Sequence, residues 1–160
     1  MKLLRKAAAF ITAILDIRST FASDVSIAAA AGEAIIGDVM PMDTTGMNLG
    51  NAMTPVYLVV GITEAVVSAG AATVQFKLYS HSTATVTSGV EHFASAAIPK
   101  ADLTVGEIAV AIILPQGDYG AYLGVSAVTA VATTTAGKIN AHLTMDAPNG
   151  WKAYPDAITD

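Results

Sequence analysis

Residues 73–79 have the sequence Thr-Val-Gln-Phe-Lys-Leu-Tyr, and their pattern indicates the class of fold. Apolar Val74, Phe76 and Leu78 alternate with more polar neighbours. Because successive side chains of a β-strand point to opposite faces, the alternation predicts a strand with one buried and one wet face. Residues 137–146 repeat the pattern and predict a second such strand.

Outward from these two segments, the chain contains further short strand candidates separated by turn signals. Val56–Ile62 and Ile108–Leu114 are almost continuously apolar, which predicts strands buried on both faces. The weaker candidates are 25–30, 34–40, 90–98 and 121–129, and the turn signals are 43–46, 68–70, 88–89, 115–117 and 135–137. No helical period of ten or more residues lies between them, so we expect an antiparallel sandwich or barrel.

The composition is short of charge. Of 160 residues 53% are apolar and 13% are charged, about half of the ~25% that is usual. A net charge of −5 disfavours direct binding of nucleic acid, and the lack of cysteine excludes disulfides and thiolate metal sites. Two long uncharged stretches, 44–63 and 120–137, contain glycines and polar residues, so we predict no membrane span. The composition indicates a globular protein that assembles with other chains.

The N-terminal segment differs from the rest of the chain. Residues 1–18 carry four of the eight basic residues and one acid, whereas the remainder carries −8. Apolar side chains recur there at steps of three and four, which predicts an amphipathic helical arm. The arm either folds onto its own domain or lays its apolar stripe in a groove of a neighbouring molecule. A cleaved secretory signal is the alternative, but Asp16 and Arg18 spoil the approach to a cleavage site.

Contact with a partner is the one role that individual residues suggest. Basic and aromatic side chains of the arm, and aromatic side chains of the C-terminal tail, are candidates for anchoring an interface. The candidate interaction residues are Lys2, Arg5, Lys6, Phe10, Trp151 and Tyr154.

The sequence predicts no catalytic, cofactor-binding or metal-binding residues, and so no enzyme. The three histidines, His81, His92 and His142, have no metal-ligand spacing, and no nucleophile, phosphate or calcium motif is present. We expect His142 to be solvated on the polar side of its strand. Glu91 and His92 are adjacent on a predicted strand, so they are expected to face opposite ways.

Several segments, in order, carry a resemblance to a known family. They are 14–23, 56–60 with Thr63 and Glu64, 74–79, Leu103 and Gly106, 114–117, Tyr122 and Leu123, and Thr135-Ala136-Gly137-Lys138-Ile139 followed by Ala141. The chain resembles the capsid cement (decoration) proteins of tailed bacteriophages, of the jelly-roll type known from a Bordetella podophage. The similarity covers roughly residues 14–158, and residues 1–13 depart from the family pattern.

The resemblance implies a jelly-roll-like antiparallel β-sandwich at residues 14–147. The residue pattern itself adds an N-terminal amphipathic arm at 1–13 and an irregular C-terminal tail at 148–160. It implies a structural protein on the outside of an icosahedral shell, bridging copies of the major capsid protein and stabilising the capsid. Its expected partners are the major capsid protein and copies of itself, as a dimer or alternatively a trimer, without cofactors, direct nucleic-acid contact or membrane. The alternatives are a lectin-like or receptor-binding virion module and a secreted surface β protein.

Overall fold

Ten β-strands make up most of the chain that the computed structural model describes, residues 17–42 and 55–146. They are β1 (Thr20–Ser26), β2 (Gly32–Ile35), β3 (Met40–Pro41), β4 (Tyr57–Val67), β5 (Thr73–His81), β6 (Val90–Ala94), β7 (Ile98–Pro99), β8 (Ile108–Ile113), β9 (Tyr122–Ala130) and β10 (Ala136–Thr144). Three short 3₁₀ turns, Ile17–Ser19, Val86–Ser88 and Lys100–Asp102, are the helical elements of the described residues.

The strands form two antiparallel sheets. The first has the order β1-β10-β4-β8, and the second has the order β2-β9-β5-β6, with β3 beside β9 and β7 beside β5. When the two-residue strands β3 and β7 are left out, the remaining eight strands alternate along the chain between the two sheets, except that β5 and β6 are neighbours in the second sheet. Eight strands connected in this way are a jelly roll, so the all-β sandwich predicted above is confirmed.

The core lies between the two sheets. Val74, Phe76 and Leu78 of β5 are fully buried, as their alternation predicts. Ile139 and Ala141 of β10 face them from the first sheet and are also fully buried. Burying a side chain of the size of Val, Leu or Phe contributes about 1.5–3 kcal/mol, so these alternating positions account for much of the stability of the sandwich.

The prediction for Ile108–Leu114 is wrong in one respect. This run forms β8, but β8 is an edge strand of the first sheet, not a strand buried on both faces. Ile108 is 43% and Ile113 is 54% exposed. A continuous apolar run identifies a strand, but not whether a second layer covers its outer side.

The turn predicted at residues 135–137 is also wrong, because β10 begins at Ala136. Gly137 is buried in the strand at a φ of 137°, and a Cβ there would lie 2.9 Å from Val66 Cγ2. The glycine therefore permits close packing rather than a chain reversal.

The expected arm at residues 1–13 and tail at 148–160 lie outside the described residues. Within the described residues, none of the helical turns is long and apolar enough to cross a membrane.

Candidate interaction surfaces

All six contact residues that the sequence suggests lie outside the described residues, so they stay predictions. They are Lys2, Arg5, Lys6, Phe10, Trp151 and Tyr154.

A serine–histidine pair lies where β5 pairs with β6. Ser80 Oγ is 2.7 Å from His92 Nε2 and accepts a hydrogen bond from the Gly120 amide at 2.9 Å. The His92 ring stacks on Tyr119 with centroids 3.9 Å apart, and the Tyr119 hydroxyl donates to the Pro115 carbonyl at 2.7 Å. The pair therefore fastens the connection between β8 and β9 to the second sheet.

This pair has the residue types of a nucleophile and its base, but not the accessibility. Ser80 is 1% exposed, and its oxygen already accepts the Gly120 amide. Burial lowers the pKa of His92 below its ordinary value and raises the pKa of Tyr119 to about 12. Both rings are neutral near pH 7, and the cluster is a structural clamp.

Sequence reasoning missed this clamp, although a signal exists. Ser80 continues the inward alternation of Val74, Phe76 and Leu78, so it is a polar residue at a core position. Such a residue must find a hydrogen-bond partner. The expectation that Glu91 and His92 face opposite ways is confirmed, because Glu91 bonds to side chains of β5 on the outer side of the second sheet while His92 bonds to Ser80.

The outward face of the second sheet is polar. Lys77 Nζ lies 2.9 Å from Glu91 Oε2, and the Tyr79 hydroxyl lies 3.1 Å from the same oxygen. Ser126 Oγ donates to Glu33 Oε1 at 2.6 Å. The bond to Lys77 lowers the pKa of Glu91, the bond to Glu91 raises that of Lys77, and burial raises that of Tyr79. These groups satisfy one another across neighbouring strands.

The outward face of the first sheet has a different chemistry. Directly opposed residues of an antiparallel pair share a face. The pairing of the four strands therefore lines up one outward row that crosses the whole sheet, made of Thr20, His142, Val59 and Ala111. A neighbouring row contains Thr144, Tyr57 and Ile113, and a third contains Asn140, Gly61 and Ile108. We call the β4 and β8 members of these rows the apolar face: Tyr57, Val59, Gly61, Ile108, Ala111 and Ile113.

His142 on this sheet corrects one expectation. It points outward as predicted, but it is half-buried rather than fully solvated, and burial lowers its pKa. Its neighbour Val59 is only 6% exposed despite its outward position. The centre of the outward face is therefore shielded from water.

A charged network lies beyond the third row, where β1 bulges. Asp24 has a φ of 53°, a left-handed conformation that Asp tolerates better than most residues. Its carboxylate is 2.9 Å from Lys138 Nζ and accepts the Thr63 hydroxyl at 2.9 Å, while Glu64 lies 3.7 Å from the same amine. The bond to Lys138 lowers the pKa of Asp24, and the network carries one more negative than positive charge.

A strained turn projects a valine at the end of β9. The Ala132 amide donates to the Ala130 carbonyl at 2.8 Å, and Val131 between them has a φ of 70°. This is a γ-turn of the rare, strained kind, and a β-branched residue is its least favoured occupant. Val131 is nevertheless 76% exposed. The strain is not offset by burial of that side chain.

Two more exposed valines, Val67 and Val105, lie at or near the second half of β4. Val67 ends β4, and its carbonyl accepts the Thr135 amide from the loop that follows the γ-turn. Val105 lies in the connection before β8, where the Gly106 amide donates to a carbonyl of β4. We call Val67, Val105 and Val131 the exposed valines. Exposed apolar groups at strand ends and on ordered loops are typical of interaction sites.

Within residues 17–42 and 55–146, no group of three or more His, Asp or Glu side chains is arranged to hold a metal ion. In the same ranges, each fully buried side-chain polar atom has a hydrogen-bond partner.

A family model matches most of the chain. The model of the Bbp16 family matches residues 22–143, about three quarters of the chain. This segment runs from β1 into β10. The family is named after a Bordetella phage protein. No curated protein matches the chain. Because the matched segment contains nearly the whole jelly roll described above, this protein belongs to the Bbp16 family.

Proposed function

We propose that this protein is a capsid cement protein of a tailed phage. It binds the outside of an icosahedral shell, bridges neighbouring copies of the major capsid protein, and stabilises the shell against the pressure of the packaged DNA. Membership of the Bbp16 family, over a match that runs from β1 into β10, is the observation that carries the proposal. Its partners are the major capsid protein and further copies of itself.

The chemistry of the described residues supports a structural role over a catalytic one. Among the residues that the structure describes, the serine–histidine pair fastens a loop, with Ser80 buried. The acids of the second sheet are bonded to Lys77, Tyr79 and Ser126. These groups hold strands together, and in this proposal the protein acts by binding alone, without cofactor, nucleic acid or membrane.

The exposed valines are our choice for the surface that meets the shell. A γ-turn with valine at its centre costs of the order of 1–3 kcal/mol. Such a cost is tolerated where burial of the projected side chain on binding offsets it, and burying a valine contributes about 1.5–3 kcal/mol. Repetition of such small contacts over a lattice makes local opening of the shell require several contacts to break together.

The experiment adds purified protein to particles that lack it. Occupancy is measured by quantitative gel electrophoresis, and DNA release on heating by dye fluorescence. The test variant is Val131→Asn, because asparagine accepts the left-handed conformation and removes the apolar side chain. The control is Val90→Asn at the start of β6. Val90 is also exposed but does not belong to the group named above, and it lies beside the end of β5, away from the γ-turn.

The wild type should bind and raise the temperature of DNA release. Val131→Asn should be more stable than the wild type by about 1 kcal/mol, yet bind about tenfold more weakly, as expected for the loss of about 1.4 kcal/mol. Val90→Asn should bind like the wild type.

The outcomes separate the two parts of the proposal. A wild type that does not bind, or binds without changing DNA release, overturns the cement function. Equal binding of both variants overturns only the valine contact. Particles that lack the protein, remain stable and no longer adsorb to cells would favour a receptor-binding module.

A further inference from the structure

The two outward faces of the sandwich differ in a way that the proposed function does not explain. On the second sheet the outward side chains form a hydrogen-bonded polar network centred on Lys77 and Glu91. On the first sheet the apolar face contains no charged side chain, and Ile108 and Ile113 are exposed along its edge strand. Such a face in a sandwich is usually covered by another element.

The segment that precedes the described chain is the candidate for covering the apolar face. The 3₁₀ turn Ile17–Ser19 leads directly into Thr20, which belongs to the row that crosses the first sheet. The sixteen residues before it therefore join the sandwich at the β1 edge of this face. Their apolar stripe lies at helical spacing and consists of Leu3, Leu4, Ala7, Ala8, Ile11, Ile14 and Leu15.

The length of the stripe as a helix matches the distance across the first sheet. Neighbouring strands lie about 4.8 Å apart, so β1 and β8 are separated by about 14 Å, and the rows of the apolar face extend about 13 Å along the strands. The diagonal of that area is about 19 Å, and the thirteen residues of the stripe span about 20 Å as a helix. The stripe can reach from Thr20 to Ile108.

The basic residues of the segment also match acidic residues on the sandwich. At the far corner of the face lie the exposed Glu107, directly before β8, and Glu64, which shares Lys138 with Asp24. The basic residues Lys2, Arg5 and Lys6 stand at the far end of the stripe. A helix that runs from the β1 edge would bring its positive end to these acids.

We propose that residues 3–15 dock as an amphipathic helix on the apolar face of their own chain, with the basic end toward Glu64 and Glu107. This inference does not depend on the cement function, because the contact is within one chain.

The absence of native cysteine permits a direct test. In full-length protein, Ala8→Cys is combined with Ala111→Cys, which lies on β8 in the row that begins at Thr20. The control combines Ala8→Cys with Ala130→Cys, which lies on the outward face of the second sheet opposite Thr73. After mild oxidation, peptide mapping and non-reducing electrophoresis report which disulfides form.

A disulfide within one chain for the Ala111→Cys pair, and none for the Ala130→Cys pair, is the expected result. A disulfide between two chains would place the stripe on a second copy and overturn the proposal. A disulfide in the Ala130→Cys pair alone, or disulfides in equal yield in both pairs, would overturn it too.

A second measurement covers the case in which disulfide geometry is unsuitable. The single variant Ala111→Cys is reacted with a maleimide, alone and combined with Ile11→Asp. Because the aspartate removes the apolar burial of Ile11, labelling should become about tenfold faster or more, which corresponds to about 1.4 kcal/mol or more of lost docking. Labelling of Ala130→Cys should not change. Equal labelling of Ala111→Cys with and without Ile11→Asp would contradict the docking.

Discussion

Removal of the Ser80 hydroxyl tests the structural clamp. In Ser80→Ala, the Gly120 amide loses its acceptor and His92 Nε2 loses its partner. Each net hydrogen bond contributes about 1 kcal/mol, so the free energy of unfolding should fall by about 2 kcal/mol. For a chain of this size, that corresponds to a decrease of about 4–8 °C in Tm.

Urea denaturation of the purified protein measures this loss. The control is Ser88→Ala, whose exposed hydroxyl donates to the Thr85 carbonyl at 2.9 Å and links nothing distant. It should change the free energy of unfolding by less than about 0.5 kcal/mol. A loss below that value in Ser80→Ala would refute the clamp, and unchanged stability with loss of a chemical activity would indicate a nucleophile instead.

The remaining predictions also concern stability. Burial lowers the pKa of His92 and of His142 below the ordinary 6.5, so the unfolded chain takes up protons first and stability falls as the pH drops through 6.5, until the folded histidines also protonate. Denaturation at about pH 7.5 and pH 5.5 should show this loss in the wild type and a smaller loss in His92→Phe, and identical losses would contradict the assignment. Gly37→Ala should destabilise the fold by more than about 2 kcal/mol, because the new Cβ would collide with the Phe21 carbonyl oxygen at a backbone φ of 65°. Gly106→Ala, at a φ of 89° but in open space, should cost only about 1 kcal/mol, and equal losses in the two variants would show that the close contact does not matter.

The sequence predicts the centre of this fold better than its edges. In β5 and β10 a strict alternation of apolar and polar side chains reflects one buried face, and both strands form where predicted. In β8 the continuous apolar run reflects two environments, the core beneath Val110 and an outward face at an edge, which residue type alone does not distinguish. Strand order across the two sheets comes from long-range pairing, which local patterns do not encode.

Features of the candidate surfaces were less predictable for similar reasons. The Ser80–His92 contact depends on the register of β5 and β6, and a polar residue at an inward position was its one local sign. The left-handed Val131 had no sign at all, because valine is among the residues that least favour that conformation. The bulge at Asp24 likewise depends on pairing with β10. Such strain is imposed by the surrounding structure, not by the residue itself.

A three-dimensional reconstruction of the intact virion shows whether this protein lies on the outside of the shell. The cement function predicts density for the two-sheet jelly roll on the outer surface of the shell, with each copy in contact with at least two major capsid subunits. Density for the jelly roll at the tail fibres, or a shell whose outer surface carries no copy of it in virions that contain the protein, would contradict the claim.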